Sequence, residues 1–296
     1  MNIIKYRKLW YSISGLLLIL SFVFLGLDGL KQGIDFTGGS LLAVRYQDQQ
    51  PTAVEAEQLL SDLDLGDIVV QPVGEKDMHF RMKSLDEDVH QEVLKALRTK
   101  YKITELRFDS IGPVIGKELK TKSIIALIIV FISIMIYVAW AFRKVSVPVK
   151  SWKYGAITVL AALHDVIIPM GVFALFGKMF GTEIGTPFIA AILTIMGYSI
   201  NDTIVVFDRI RENLQTTSGT FKDIVNNSLN QTLLRSLNTT VTTLLALLAV
   251  YLFGGESIKD FALTLIIGIL AGTYSSIFIA SPLLYTVYRF SRRNKK

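Results

Sequence analysis

Composition sets narrow limits on the class of this protein. The chain has 296 residues, of which 51% are hydrophobic, and a formal net charge of +6. So apolar a composition is unusual for a soluble domain and indicates a membrane protein. The lack of cysteine excludes disulfides and thiol chemistry, and the three histidines show no metal-ligand spacing. We expect no metal and no cofactor. We also expect no nucleic-acid partner, because the basic residues collect beside apolar runs.

Six apolar runs predict six transmembrane helices. Each is near the ~20 residues that cross a hydrocarbon core, and in lipid each must satisfy its own backbone groups as a helix. The first run follows basic residues, as in a signal peptide, but its length of about 19 residues predicts a retained anchor. The predicted segments are 1–27 (the N-terminus with the first span), 123–142, 154–177, 185–207, 236–253 and 261–287.

The distribution of Lys and Arg predicts the orientation. The short loops on one side carry only Lys178 and Lys259. By the positive-inside rule both termini, a loop at 208–235 and a basic tail at 288–296 are cytoplasmic, and residues 28–122 lie outside. The basic residues behind this prediction are Lys5, Arg7, Lys8, Arg143, Lys144, Lys150, Lys153, Arg209, Arg211, Lys222, Arg235, Arg289, Arg292, Arg293, Lys295 and Lys296.

The segment between the first two spans reads as a small folded domain. Its pattern is strand, helix, strand, strand, helix, strand, which is typical of a ferredoxin-like α+β fold. Roughly 80 residues suffice for one small core. The predicted strands are Leu41–Tyr46, Ile68–Val73, His79–Lys83 and Ile103–Ser110, and the helices are Ala53–Leu63 and Asp86–Tyr101.

Asp202 is the first candidate functional residue, because it interrupts the apolar run of the fourth predicted span. A carboxylate within the hydrocarbon costs on the order of 3 kcal/mol and is by default a functional hypothesis. Asn201 is adjacent to Asp202, and Tyr198 and Ser199 share its helical face and are expected to supply hydroxyls. The alternative is a carboxylate that reaches the cytoplasmic interface.

Asp165 is the second candidate and lies near the middle of the third span. Pro169, four residues on, should bend the helix at this point. The alternative is a structural bridge from Asp165 to a neighbouring helix. The adjacent His164 points about 100° away around the helix, so the two need not act as a dyad.

Arg235 is the third candidate, at the start of the fifth span. Arg235, Asn238 and Thr239 share a polar helical face that suits hydrogen bonding to another helix, and Arg235 could pair with Asp202. The alternative is an arginine that reaches lipid head groups. Within the sixth span, a GxxxG at Gly268–Gly272 predicts close helix packing only.

Several stretches in order along the chain resemble the SecD/SecF family of bacterial preprotein export, within the resistance-nodulation-division superfamily. The resemblance covers nearly the whole chain and is closest to the smaller, SecF-type members. The stretches are 33–39, 111–116, 163–165, 197–213 and 235–240. The first two are connector motifs flanking the outer domain, and their candidate residues are Gly33, Asp35, Gly38, Gly39, Gly112, Pro113 and Gly116.

The resemblance implies a partner and an energy source. It implies that this chain is the six-span half of a twelve-span unit, which it forms with SecD in the bacterial cell membrane beside the Sec channel of SecY, SecE and SecG. It also implies protons as the driving ion and an unfolded preprotein at the outer face. The family's intramembrane charges fall on Asp202 and Arg235, and Asp165 matches a further polar position. Protonation of Asp202 would weaken its pairing with Arg235, and the outer domain would respond through the connectors.

Two other functions remain open at this stage. One is a proton-coupled small-molecule exporter of the same superfamily, against which the single small outer domain speaks. The other is a non-conducting scaffold subunit whose buried charges only hold a partner. An enzyme is not expected, since no nucleophile–base pair, metal cluster or nucleotide motif is evident, and 112–117 lacks the spacing of a P-loop.

Overall fold

The computed structural model of the chain describes residues 2–143 and 148–293. The basic residues Lys144, Lys295 and Lys296, which contributed to the predicted orientation, lie outside the described residues, as does the end of the predicted tail 288–296. The chain divides into two compact units. A membrane unit combines residues 1–31 and 125–296, and an inserted unit comprises Gln32–Ile124.

Long helices dominate the described residues. A short 3₁₀ turn, Ile4–Tyr6, leads into the first helix, and a π-helical segment, Ser276–Ala280, interrupts the last long one. The helices are α1 (Arg7–Leu27), α2 (Ile34–Thr37), α3 (Ala53–Gln58), α4 (Glu87–Arg98), α5 (Pro113–Ala141), α6 (Ser151–Phe180), α7 (Thr186–Thr216), α8 (Phe221–Phe253), α9 (Glu256–Ser275) and α10 (Ser281–Arg293).

Six helical segments of the described chain are long and apolar enough to cross a membrane. They correspond to α1, α5, α6, α7, α8 and the continuous rod α9–π–α10, which confirms the six predicted spans. The boundaries are less accurate. Within residues 208–235, which we expect to be a cytoplasmic loop between spans, α7 continues to Thr216 and α8 begins at Phe221. The charged and polar residues Arg209, Arg211, Glu212 and Gln215 lower the hydropathy after residue 207 but are good helix formers, so α7 can continue past the apolar run.

The rod α9–π–α10 is central to the membrane unit. Its α9 part packs against α6, α7 and α8, while α1 packs on α6. A Cβ added at Gly268 would come within 2.1 Å of the Ile195 side chain, and one at Gly272 within 3.0 Å of Ser199. The two glycines of the GxxxG therefore allow α9 to pack closely against α7, as the sequence predicts.

The inserted unit is a four-stranded antiparallel sheet with two main helices. Its strands are β1 (Gly39–Tyr46), β2 (Val69–Val73), β3 (Asp77–Met82) and β4 (Ile103–Ile111), in the spatial order β2-β3-β1-β4. Strands β1 and β3 lie in the middle, and α3 and α4 contribute to a core that includes Leu42, Phe80 and Leu94. This arrangement is compatible with the predicted ferredoxin-like pattern. The predicted helix Ala53–Leu63 is shorter, ending at Gln58.

The two connector motifs touch each other within the inserted unit. Gly38 has a φ of +74°, and a Cβ there would lie 2.7 Å from the Cα of Pro113. A Cβ at Gly116 would lie 2.8 Å from the backbone nitrogen of Gly38. Both positions require glycine, because backbone from the other motif occupies the space of a side chain. The start of β1 and the end of β4 are also paired, Gly39 opposite Ile111.

Candidate functional site

Two carboxylates lie among the membrane helices, in different surroundings. Asp165 on α6 is completely buried, with 0% exposure. Its Oδ1 is 2.8 Å from His164 Nδ1, its Oδ2 accepts from Ser275 Oγ at 2.7 Å, and the Ser199 hydroxyl also donates to Oδ2. The donors come from α6, α7 and α9, so Asp165 holds three helices together at one point. This is the structural bridge that the sequence left open as an alternative.

His164 extends this buried cluster to a fourth helix. Its Nε2 lies 3.1 Å from Ser14 Oγ on α1. Since Nδ1 contacts a carboxylate, the ring spans from Asp165 to Ser14 with both nitrogens engaged. The sequence did not predict that His164 and Asp165 would be bonded, because adjacent helical residues point in different directions. Side-chain rotation of the histidine closes the gap.

Asp202, near the midpoint of α7, is only partly buried. Ser236 Oγ on α8 donates to its Oδ1 and Ser276 Oγ in the π segment donates to its Oδ2, both at 2.5 Å. Charge-assisted hydrogen bonds of this kind are roughly twice as strong as neutral ones. Neither serine was predicted as a partner. A signal for Ser276 was present, because Thr273, Tyr274, Ser275 and Ser276 form a run of four hydroxyl residues in the mostly apolar stretch 261–280.

The hydroxyls that the sequence assigned to Asp202 have other partners. Ser199 donates to Asp165, and the Tyr198 hydroxyl lies 3.5 Å from Thr243 Oγ1 on α8. Positions 198 and 199 do lie on the Asp202 side of α7. The closer neighbours across the helix interface, Asp165 and Thr243, decide where each hydroxyl bonds.

A cavity of about 290 Å³ opens beside Asp202 between α7 and α8. It is large enough for several waters, whose share of liquid volume is about 30 Å³ each. Both carboxylate and guanidinium groups line it, at Asp202 and Arg235. The full lining is Tyr198, Asn201, Asp202, Val205, Arg235, Thr239, Thr242 and Thr243. Of the predicted supporting residues, Asn238 lies outside this lining and is exposed on α8.

The predicted ion pair between Asp202 and Arg235 is not formed. In the part of the chain that the structure describes, no Arg235 nitrogen lies within 4.0 Å of an Asp202 oxygen. The Arg235 side chain is exposed, whereas Asp202 turns to two serines. Arg235 and Asp202 line the same cavity without forming an ion pair, and Asp202 accepts from Ser236 and Ser276 instead.

The chain matches two models of one family. The model described as "Protein export membrane protein SecD/SecF, C-terminal" matches residues 90–289, and "SecD/SecF GG Motif" matches residues 23–50. The second match includes Gly38 and Gly39, and the first includes Asp165, Asp202 and Arg235.

Relatives and solved structures agree with the family models. The protein translocase subunit SecF of Thermobaculum terrenum is 41% identical over 96% of this chain and 92% of the relative. That of Rickettsia felis is 37% identical over 100% of this chain and 94% of the relative. The crystal structure of SecDF, a translocon-associated membrane protein from Thermus thermophilus, is 33% identical with a TM-score of 0.84. It aligns with 98% of this chain, which spans only 38% of that SecDF chain. The chain belongs to the SecD/SecF family of protein-export membrane proteins.

Proposed function

We propose that this chain is the SecF-type subunit of a SecD–SecF complex, which uses the proton motive force to promote late steps of preprotein translocation through the Sec channel. Its relatives are named protein translocase subunits, a transport role. The matched SecDF structure is described as translocon-associated, and this chain aligns with 38% of it. In this proposal SecD supplies the part of that structure with which this chain does not align. In this proposal the protein lies in the bacterial inner membrane with both termini cytoplasmic.

The observation that carries the proposal is the position of Asp202. It lies near the middle of a candidate spanning helix, and it faces a polar cavity rather than a sealed core. An ionisable group placed in this way can exchange a proton with water in the cavity. Such residues in membrane proteins mark ion pathways and proton relays.

Arg235 gives the cavity a permanent positive charge. A guanidinium stays protonated at all relevant pH values, so only the carboxyl can change charge when a proton enters. Arg235 does not bond to Asp202 in this structure, and its exposed side chain is available to a group outside the chain. In the proposed cycle, a proton on Asp202 changes the net charge of the cavity from balanced to positive.

The exposed polar face of α8 supports the need for a partner. Arg235, Asn238, Thr239 and Thr242 are all exposed, although α8 is apolar enough to span a membrane. Polar side chains facing lipid are unfavourable, so this face should be covered by protein. We assign it to the SecD side of the complex.

The energy per proton limits the mechanism. One charge crossing 100 mV supplies about 2.3 kcal/mol, so several protons are needed for each preprotein. The structure holds Asp202 by two strong hydrogen bonds, which a proton would have to rearrange. The proposed function is therefore a repeated cycle of small steps.

Proton conductance tests the proposal directly. Vesicles containing this chain with SecD would be given a proton gradient, with and without an exporting preprotein. We expect a preprotein-dependent conductance in the wild type that is lost in Asp202→Asn. Asp208→Asn is the matched control: it neutralises an exposed carboxylate on the same helix, which lies near Arg211, and should conduct normally.

Two results would contradict the proposal. Equal conductance in the wild type and Asp202→Asn would leave Asp202 as an assembly residue and favour a scaffold role. Conductance that depends on Asp202 but not on any preprotein would favour a small-molecule exporter instead.

A further inference from the structure

Two adjacent serines bind carboxylates on two different helices. Ser275 Oγ donates to Asp165 on α6 at 2.7 Å, and Ser276 Oγ donates to Asp202 on α7 at 2.5 Å. Consecutive side chains on a helix point about 100° apart, so neighbours on one helix can reach two others. The rod α9–π–α10 is thereby attached to both carboxylates at a single point along its length.

The attachment point is where the helix changes register. The π segment begins at Ser276, and the Ser281 hydroxyl donates to the backbone oxygen of Ser276 at 3.3 Å, five residues back. π-helical turns are rare, and they occur frequently at functional sites. A helix has little intrinsic preference for this register, so side-chain contacts such as those of Ser276 must help to maintain it.

The two carboxylates differ in how firmly they hold their serine. Asp165 is sealed and takes donors from α6, α7 and α9. Asp202 is open on one side to the cavity. As an anion it accepts from Ser236 and Ser276 together. Once protonated, one oxygen carries a hydrogen and becomes a donor, so the carboxyl can no longer accept equally from both serines.

We propose that Ser275 and Ser276 form a two-point clasp on the sixth span, in which Asp165 is the fixed anchor and Asp202 the releasable one. Loss of the negative charge on Asp202 frees Ser276 and lets the π segment change its backbone register, while Ser275 keeps the rod in place. Ser276 is thus a positioning residue that converts a charge change into a helix rearrangement. The inference rests on the proposed function only for the source of the proton.

The charged groups around Asp202 are few. Arg235 on α8 lies across the cavity, Tyr198 lines the same cavity, and Asp165 with His164 lies on α6 beyond the serine pair. Residues 261–288 of the rod contain no Asp, Glu, Lys, Arg or His. The hydrogen bond from Ser276 to Asp202 is the link through which we expect a charge change on Asp202 to reach the π segment.

Hydrogen exchange of the backbone amides tests the clasp without any transport assay. The full chain in nanodiscs at constant pH would be compared as wild type, Asp202→Asn, Ser276→Ala and the double variant. An asparagine has one acceptor oxygen and one donor nitrogen, so it resembles the protonated carboxyl. We expect residues 276–281 to exchange about tenfold faster in Asp202→Asn, equivalent to about 1.4 kcal/mol.

The double variant separates a shared interaction from two independent ones. If Ser276 acts through Asp202, the double variant exchanges no faster than either single variant. Ser275→Ala combined with Asp202→Asn should instead give additive effects, because Ser275 belongs to the other anchor. Asp208→Asn should leave exchange at 276–281 unchanged.

Unchanged exchange at 276–281 in Asp202→Asn would overturn the clasp, as would additive effects of Asp202→Asn and Ser276→Ala. If Ser276→Ala does not fold, the comparison of exchange at 276–281 between Asp202→Asn and Asp208→Asn still tests the clasp. Failure of the clasp with conductance lost in Asp202→Asn leaves the proposed function standing. Faster exchange at 276–281 in Asp202→Asn with normal conductance would support the clasp and contradict the proposed function.

Discussion

Asp165 and Asp202 are the same chemical group on neighbouring helices, yet the protein surrounds them differently. Asp165 has no exposed surface and receives hydrogen bonds from three helices. Asp202 receives two and borders a cavity that also holds an arginine. The hydrogen bonds to Asp165 offset the cost of its burial and join three helices, whereas the access of Asp202 to water favours the exchange of a proton. A carboxylate in a membrane helix is therefore not evidence of proton transfer until its surroundings are known.

The largest expected effect on stability comes from Asp165→Ala. It leaves the buried donors of His164 and Ser199 without their acceptor, whereas Ser275 can still donate to the backbone oxygen of Gly272. Each unsatisfied donor costs about 1–3 kcal/mol, so we expect a loss of at least about 2 kcal/mol in unfolding free energy. Chemical unfolding of the chain in detergent, followed by tryptophan fluorescence, would measure it. Asp165→Asn should lose less, since the amide keeps one acceptor. An Asp165→Ala variant as stable as the wild type would contradict the structural role that distinguishes Asp165 from Asp202.

A smaller loss is expected for Asp202→Ala. Removing the carboxylate from the cavity wall lets water take its place beside Ser236, and Ser276 can still donate to the backbone oxygen of Thr273 at 3.1 Å. We therefore expect a loss of about 1 kcal/mol. The same unfolding experiment measures this loss, and conductance should disappear completely. A loss as large as that of Asp165→Ala would show that Asp202 is equally structural.

The smallest effect on stability is expected for Arg235→Ala. The side chain is exposed and forms no ion pair with Asp202, so unfolding free energy should change by less than about 0.5 kcal/mol. Conductance of the complex with SecD should nevertheless fall, because the cavity loses its fixed charge. Arg235→Lys is the matched control and should retain part of the conductance. Destabilisation by more than about 1 kcal/mol in the isolated chain would contradict the placement of Arg235 at a partner surface.

The sequence was sufficient for the features that depend on local pattern. Hydropathy located the six spans, and alternation with turn signals located the strands and helices of the inserted unit. Asp165, Asp202 and Arg235 were identifiable because a charge is conspicuous in an apolar helix. The extension of α7 to Thr216 was missed, since hydropathy detects lipid contact and not helix length.

The partners of these charges could not be predicted in the same way. Ser199 lies three residues from Asp202 but donates to Asp165 on α6, a contact between helices that spacing along α7 does not reveal. Ser276 donates to Asp202 from the start of the π segment, and the spacing of apolar residues in the sequence does not predict that the helix changes register there. The first contact depends on how α6 packs against α7, and the second on how closely the sixth span approaches α7, which Gly268 permits but does not by itself specify.

The contact between the two connector motifs has a consequence for the architecture of the chain. Gly38, Pro113 and Gly116 bring the entrance and exit of the inserted unit into backbone contact, and Gly39 pairs with Ile111 beside them. A domain whose two ends coincide can be added to or removed from a loop without stretching the chain on either side. The inserted unit thus has the geometry of an interchangeable module, which could be shortened, enlarged or exchanged for another fold while the helices before and after it keep their connection.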